Sequence, residues 1–344
     1  MVVALGYPGV IFLVGSTGDV FKRIDIGYDY IQWSPDGCQL RITTRRDQKS
    51  ILLNLDLASG VQHDLFVVSD TGDEDAMYPQ LSPDGKWISY VVGYGEDRYT
   101  GWEFQDVRVV VVDEPARPFH LTERGGAGVY GGAWSPDGQW LAYSDYDQDG
   151  NGQLYLSKPD GSDRRQLTHL VMSKITMDVI EWSPDGQRLA FTAYDQDDIP
   201  QGIWIVHSDG NDLREITLSD GNSIWGAPLW WSADGRTFVA FVSGDESVEG
   251  LYWFDPDTGK PYHVFYDSKS PNGHISFCFP ISDVQTIAFS DAETKFYTYH
   301  LTDGTIDLWL DETKLFPEEG WPPMLWQVVP VPGGAVDISQ CPSK

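Results

Sequence analysis

The stretch WSPDGQWLAYSDYDQDGNGQLYLS, Trp134–Ser157, decides the fold. It reads as a turn, an apolar strand (QWLAYS), an acidic loop and a second apolar strand (QLYLS). Within the turn, proline presets φ, aspartate accepts local backbone hydrogen bonds, and glycine supplies a conformation closed to other residues. The phrase recurs as WSPDG at Trp33–Gly37 and Trp182–Gly186, as LSPDG at Leu81–Gly85, and as WSADG at Trp231–Gly235. Successive copies lie 48, 53, 48 and 49 residues apart.

Extending the period outward finds two degraded copies. Phe279, in FPISDVQTIAFS, falls 48 residues after Trp231, and Trp326, in PPMLWQ, falls 47 after Phe279. After each turn come a strand, a loop, a further strand such as GIWIV or GLYWF, and a glycine turn such as PDGSD or SDGND. A fourth strand follows, often ending in Leu-Thr or Ile-Thr, as in RQLT and REIT. Four short strands per ~40–50 residues is the period of a propeller blade. The expectation is an all-β chain, a single β-propeller spanning residues 1–344, with seven four-stranded antiparallel blades; six blades is the alternative. Residues 2–24 read as strands two, three and four of a blade without a first strand, and residues 322–329 as the missing strand. Their joining would remove free sheet edges.

These repeats resemble those of the TolB-like, WSPDG-bearing (WD40-like) β-propellers, which also occur beneath the peptidase domain of prolyl oligopeptidase-type enzymes. The resemblance implies an extracytoplasmic protein that binds or gates through its propeller. The peptidase partner would carry a Gly-x-Ser-x-Gly elbow, and the sequence contains none. The repeated Asp residues read as turn residues, not catalytic acids.

Composition narrows the partner. The chain has 344 residues, 41% of them hydrophobic and 13% aromatic, enough for a large core. With 52 Asp and Glu against 23 Lys and Arg, the net charge is −29. Such an acidic protein suits cations or basic proteins and disfavours nucleic acid, which needs clustered Lys and Arg. No apolar run reaches the ~18 residues of a membrane-spanning helix, so no membrane span is expected. The N-terminal MVVALGYPGVIFLV reads as strand rather than signal peptide. Three cysteines, Cys38, Cys278 and Cys341, show no metal-ligand spacing, and their pairing is open. A monomer is expected.

In a four-stranded blade, the loops joining strands two to three and four to one share one face; the Ser-Pro-Asp-Gly and glycine turns share the other. Sequence diversity concentrates on the first face, where function is expected. There Asp145, Asp147 and Asp149, followed by Gly150, give D-x-D-x-D-G. Alternating oxygens on a tight loop can converge on Ca²⁺. The pattern resembles calcium loops of EF-hands and integrin-type propellers, with Gln153 where the latter carry Asp. The alternative is a solvated acidic hairpin. Ahead of the inner strands stand Tyr28, Tyr78, Tyr130, Trp225, His274 and Trp321. Of these, Tyr28, Tyr130, Trp225, His274 and Trp321 are the candidate ligand contacts, an aromatic mouth for a protein, peptide or carbohydrate. The alternative is that they fill the wall between blades. His120, His169 and His274 offer a transition-metal reading, which would suit a metal-assisted polysaccharide lyase or hydrolase. The reading favoured is a non-catalytic binding propeller; such an enzyme, acting at the channel mouth, is the alternative.

Overall fold

The computed structural model describes residues 2–7, 9–15, 17–28, 30–34, 36–47, 49–67, 75–94, 104–112, 114–122, 132–171, 174–175, 180–194, 200–217, 225–243, 249–271, 275, 278–280, 285–291, 295–315, 327–330 and 341. Seven antiparallel sheets account for nearly all the regular structure, and the chain is a β-propeller of seven four-stranded blades. The only helical pieces among the described residues are short 3₁₀ turns such as Asp267–Lys269 and Glu312–Lys314.

Blade one is Tyr30–Trp33, Gln39–Arg46, Lys49–Asp56 and Gln62–Val67. Blade two is Asp75–Leu81, Trp87–Tyr94, Phe104–Val111 and Glu114–His120. Blade three is Ala133–Trp134, Leu141–Tyr146, Gly152–Ser157 and Arg165–Gln166. In blade four the inner strand is broken into Lys174–Ile175 and Glu181–Trp182, both paired to Arg188–Tyr194; Pro200–His207 and Arg214–Ile216 follow. Blade five is Trp225–Trp231, Phe238–Ser243, Gly250–Asp255 and Lys260–Tyr266. Blade six is Cys278–Pro280, Thr286–Ser290, Lys295–His300 and Ile306–Asp311. Blade seven is assembled from both ends of the chain. Its strand Gln327–Pro330 pairs antiparallel with Val2–Tyr7 (Ala4 opposite Val329, Gly6 opposite Gln327), and Val10–Gly15 and Val20–Asp25 complete it.

The chain divides into two compact units. Residues 1–65 and 265–344 carry blades six, seven and one; residues 66–264 carry blades two to five. Within each, the middle strands are covered on both faces, so burial is continuous along a strand rather than alternating. Gly152–Ser157 is buried at all six positions, and Leu141–Tyr146 at five. The outermost strand Val20–Asp25 is exposed or half-buried throughout, as an edge is. In the first unit Ile31, Trp33, Leu40, Ile42 and Leu53 form a core with Ile11 and Leu13. In the second, Leu141, Tyr143, Leu154 and Leu156 pack with Val107, Leu189 and Phe191.

The repeated turn owes its sequence to a closed set of hydrogen bonds. In blade three the buried Ser135 hydroxyl donates to Asp137 Oδ1 (2.6 Å) and accepts from the Trp140 N–H (2.9 Å). Asp137 Oδ1 also accepts from the Gln139 N–H (3.0 Å), and the Gly138 N–H donates to the Ser135 carbonyl (2.8 Å). Gly138 has φ +70°, where a side chain would strain the backbone. The Ser34, Ser82, Ser183 and Ser232 turns repeat the Ser–Asp bond at 2.6–2.7 Å. Serine is thus as necessary as aspartate: it satisfies a strand N–H that the turn would otherwise bury unpaired.

The tryptophan before the turn stitches neighbouring blades. The Trp182 indole N–H donates to the Ala133 carbonyl of blade three at 2.9 Å. Trp134 reaches Gln80 O and Trp231 reaches Glu181 O, each at 3.4 Å. Every acceptor sits one residue before the inner-strand Trp or Leu of the preceding blade.

Cys38, just past the blade-one turn, is disulfide-bonded to Cys341, with Cα atoms 5.5 Å apart and a sequence separation of 303. Cys278 is a free thiol, pushed up to about 12 by burial.

Candidate functional site

The acidic hairpin of blade three is held by its own hydrogen bonds. Asp145 is fully buried, and its Oδ2 is paired with the Arg164 guanidinium at 2.8 Å. Arg164 also donates from Nε to Tyr143 Oη (3.1 Å) and stacks 4.0 Å over Tyr155. Asp147 Oδ1 accepts from the backbone N–H of Asp149 (3.0 Å) and Asn151 (2.9 Å), and Oδ2 from the Gln153 amide (3.0 Å). Burial pushes the Asp147 carboxyl upward, but these donors outweigh it and hold the group below the usual carboxylate range. Asp149 is exposed.

Gln153, read as a stand-in calcium ligand, is a buried joint of the blade. Its amide N–H₂ also donates to the Leu170 carbonyl (2.6 Å), while Oε1 accepts from the Thr168 hydroxyl (2.7 Å) and the Leu170 N–H (3.0 Å). Among the described residues, no three His, Cys, Asp or Glu side chains gather as a group that could hold a metal ion.

Of the expected aromatic mouth, Tyr28 is 4% exposed and packs in the core of the first unit with Ile31. Its hydroxyl lies so close over Gly6 that a side-chain carbon there would overlap it. Tyr28 is thus placed as a packing residue, the alternative that the sequence left open. Trp225 opens the inner strand of blade five, with its side chain outside the described set. Tyr130, His274 and Trp321 lie outside the described residues.

His120 ends the fourth strand of blade two, and His169 follows that of blade three. His120 Nδ1 meets Asp106 Oδ2 at 2.8 Å, with its side chain 56% exposed, and His169 Nδ1 meets the Gln166 amide at 3.0 Å. Asp106 is gripped further by Arg108 Nε and the Thr122 hydroxyl, both at 2.8 Å.

A cleft opens instead among the repeated turns, on the side that the sequence reading left to structure. Its cavity of about 230 Å³ lies between the turns of blades three and four. Trp182 and the buried Leu156 supply apolar lining, and Trp140 forms part of the wall. Asp137 and Asp185 face it from the two turns, with Arg165 at its side. Arg165 lies 4.7 Å and Lys158 5.7 Å from the Trp140 ring centre. The Lys158 ammonium is also paired with Asp163 at 2.6 Å. Ser208, from a glycine turn, lines the same cleft, so both turn classes meet on one face. The sequence marked Asp137 and Asp185 only as turn residues; no spacing signal joins them to Trp140 and Arg165.

No family model matches the sequence, and no curated protein matches it. Solved structures match the fold. The acylaminoacyl peptidase of Pyrococcus horikoshii is similar at 17% identity over 90% of this chain and 49% of its own, with TM-score 0.58. The oligogalacturonate lyase of Vibrio parahaemolyticus is similar at 12% identity over 81% of this chain and 76% of its own, with TM-score 0.56. TolB of Acinetobacter baumannii aligns at 17% identity over 75% of this chain and 61% of its own, with TM-score 0.48. The chain thus spans about half the length of the peptidase and under two thirds of TolB. At these identities the likeness is one of fold alone, a β-propeller.

Proposed function

We propose that this propeller is a non-catalytic binding module, working outside the cytoplasm, whose partner is a basic protein or peptide. The observation that carries the reading is a negative surface held negative by the fold. The 52 acidic residues outnumber the 23 basic ones, and many sit in turns whose N–H and hydroxyl groups stabilise the charged form. At exposed positions, Ser162 holds Asp160, Asn211 holds Asp209 and Thr305 holds Asp303 below the usual carboxylate range. A surface fixed in this way attracts cationic partners and speeds their association. The Cys38–Cys341 disulfide supports the location, since such bonds persist in oxidising compartments. Among the described residues, no helix is long and apolar enough to cross a membrane.

The test is a salt series with an immobilised Lys/Arg-containing peptide and, in parallel, a neutral oligosaccharide. Saturable binding of the peptide at fixed stoichiometry, with an on-rate that falls steeply as salt rises, is the expected result. Salt-insensitive binding of the sugar with none of the peptide would overturn the reading.

A further inference from the structure

We propose that the cleft between the turns of blades three and four receives an arginine side chain of such a partner, its stem on Trp182 and Leu156 and its guanidinium between Asp137 and Asp185. This rests on the basic-partner reading and gives it an address. It also moves the expected contact to the face of the repeated turns.

Three features of the cleft agree on a cation with an apolar stem. The first is the arrangement of its carboxylates. In both aspartates Oδ1 is held by the turn, by Ser135 and the Gln139 N–H in one and by Ser183 and the Gln187 N–H in the other. Their orientation is therefore fixed before any ligand arrives, which lowers the cost of binding. Asp185 is held below the usual range: burial pushes it upward, but Ser183, the Gln187 N–H and the nearby Arg188 outweigh that. The second is the lining. Trp182 is pinned by its indole bond to Ala133 and cannot swing away, so Trp182 and Leu156 offer a fixed apolar surface to methylene groups. The third is the chain's own behaviour there. Arg165 and Lys158 both lie over Trp140, so the wall already holds cations on an aromatic face. The charged groups lining the cavity are Asp137, Asp185 and Arg165, an excess of one negative charge. Arginine suits the place better than lysine because its planar, weakly hydrated guanidinium stacks and forks between carboxylates.

The probe is acetyl-Gly-Arg-Gly-amide, titrated at low salt by calorimetry or ligand-detected NMR, with the citrulline and glutamate counterparts as controls. Asp137→Asn and Asp185→Asn keep the oxygen that the turn uses and remove only charge; unchanged melting temperatures confirm the fold. Each is expected to weaken the arginine peptide about five-fold, the top of the range for one exposed ion pair. Arg165→Ala is expected to leave binding intact or tighten it, because a repelling cation is gone. The citrulline peptide is expected not to bind. If both Asn variants bind the arginine peptide as the unaltered protein does, the cleft assignment falls while the basic-partner reading stands. If the arginine peptide and the longer basic peptide both fail, both readings fall. If the glutamate peptide binds and Arg165→Ala abolishes it, the cleft takes anions and the proposal is overturned.

Discussion

The Thr168 hydroxyl donates to Gln153 Oε1 at 2.7 Å and accepts from the Leu154 N–H at 2.9 Å. One fully buried hydroxyl thus fastens the fourth strand of blade three to the third. Blade two repeats the joint: Thr122 donates to Asp106 at 2.8 Å and accepts from the Val107 N–H at 3.2 Å. The Leu-Thr ending of the repeat is explained by this pair of bonds. Leucine fills the core, and threonine supplies a donor and an acceptor where the narrow fourth strand ends.

Thr168→Val keeps shape and removes both bonds, leaving the Leu154 N–H and a Gln153 lone pair buried. The expected loss is about 2 kcal/mol, in the range for an unsatisfied buried group. Urea denaturation reads it directly. A change under a few tenths of a kcal/mol would show that the joint carries no stability.

Trp182→Phe deletes the 2.9 Å indole bond to Ala133 while keeping an aromatic ring. A loss of about 1–2 kcal/mol is expected from the bond and reduced ring area. The same change at Trp134, whose bond is 3.4 Å, should cost less. Equal losses at the two sites would mean that ring packing alone matters.

Calcium at the blade-three hairpin would have to displace N–H donors from Asp147 and the guanidinium of Arg164 from Asp145. Calorimetric titration is expected to show nothing tighter than about 1 mM, the loose end of calcium sites. A tighter site, absent from Asp147→Ala, would establish the D-x-D-x-D-G loop as a calcium ligand set.

Burial pushes Glu181 from 4.5 up to about 8. Its folded form keeps the proton over a range where the unfolded chain has lost it, so this group makes stability fall as pH rises from about 4.5 to about 8 and stay level above. Melting curves of Glu181→Gln across that window should show a flatter profile than the unaltered protein, with the greatest gain near pH 8. Parallel profiles would assign the pH dependence to other groups.

Blade seven depends on the C-terminal strand. Removing residues 321–344 deletes Gln327–Pro330 and the partner of Cys38, and exposes the edge of Val2–Tyr7. A large drop in melting temperature is expected. Cys38→Ser isolates the covalent share, about 2–4 kcal/mol. Adding reductant should destabilise the unaltered protein and leave Cys38→Ser unmoved. If neither change affects melting, blade seven draws no stability from the C-terminal segment.

The sequence by itself favoured seven blades over six, and determined the fold class and the strand order within each blade. Both follow from local signals that recur, the Ser-Pro-Asp-Gly turn and the apolar runs beside it, and a repeat spaced near 48 residues leaves little freedom in the fold. It also marked residues 322–329 as a strand lacking a blade, because the count at the other end was short by one; the structural strand is Gln327–Pro330. What it could not settle was which polar groups meet. Gln153 resembled a metal ligand in sequence, yet it bonds Thr168 and Leu170, fifteen and seventeen residues away. The sequence left open whether Tyr28 lines a mouth or packs; the neighbouring strand carries Gly6, whose missing side chain lets the ring bury. Asp137 and Trp140 come from the blade-three turn, Arg165 from the fourth strand of that blade and Asp185 from the blade-four turn, so only packing brings them to one cleft. Turns and strands are chosen by neighbours in sequence; a binding surface is chosen by neighbours in space.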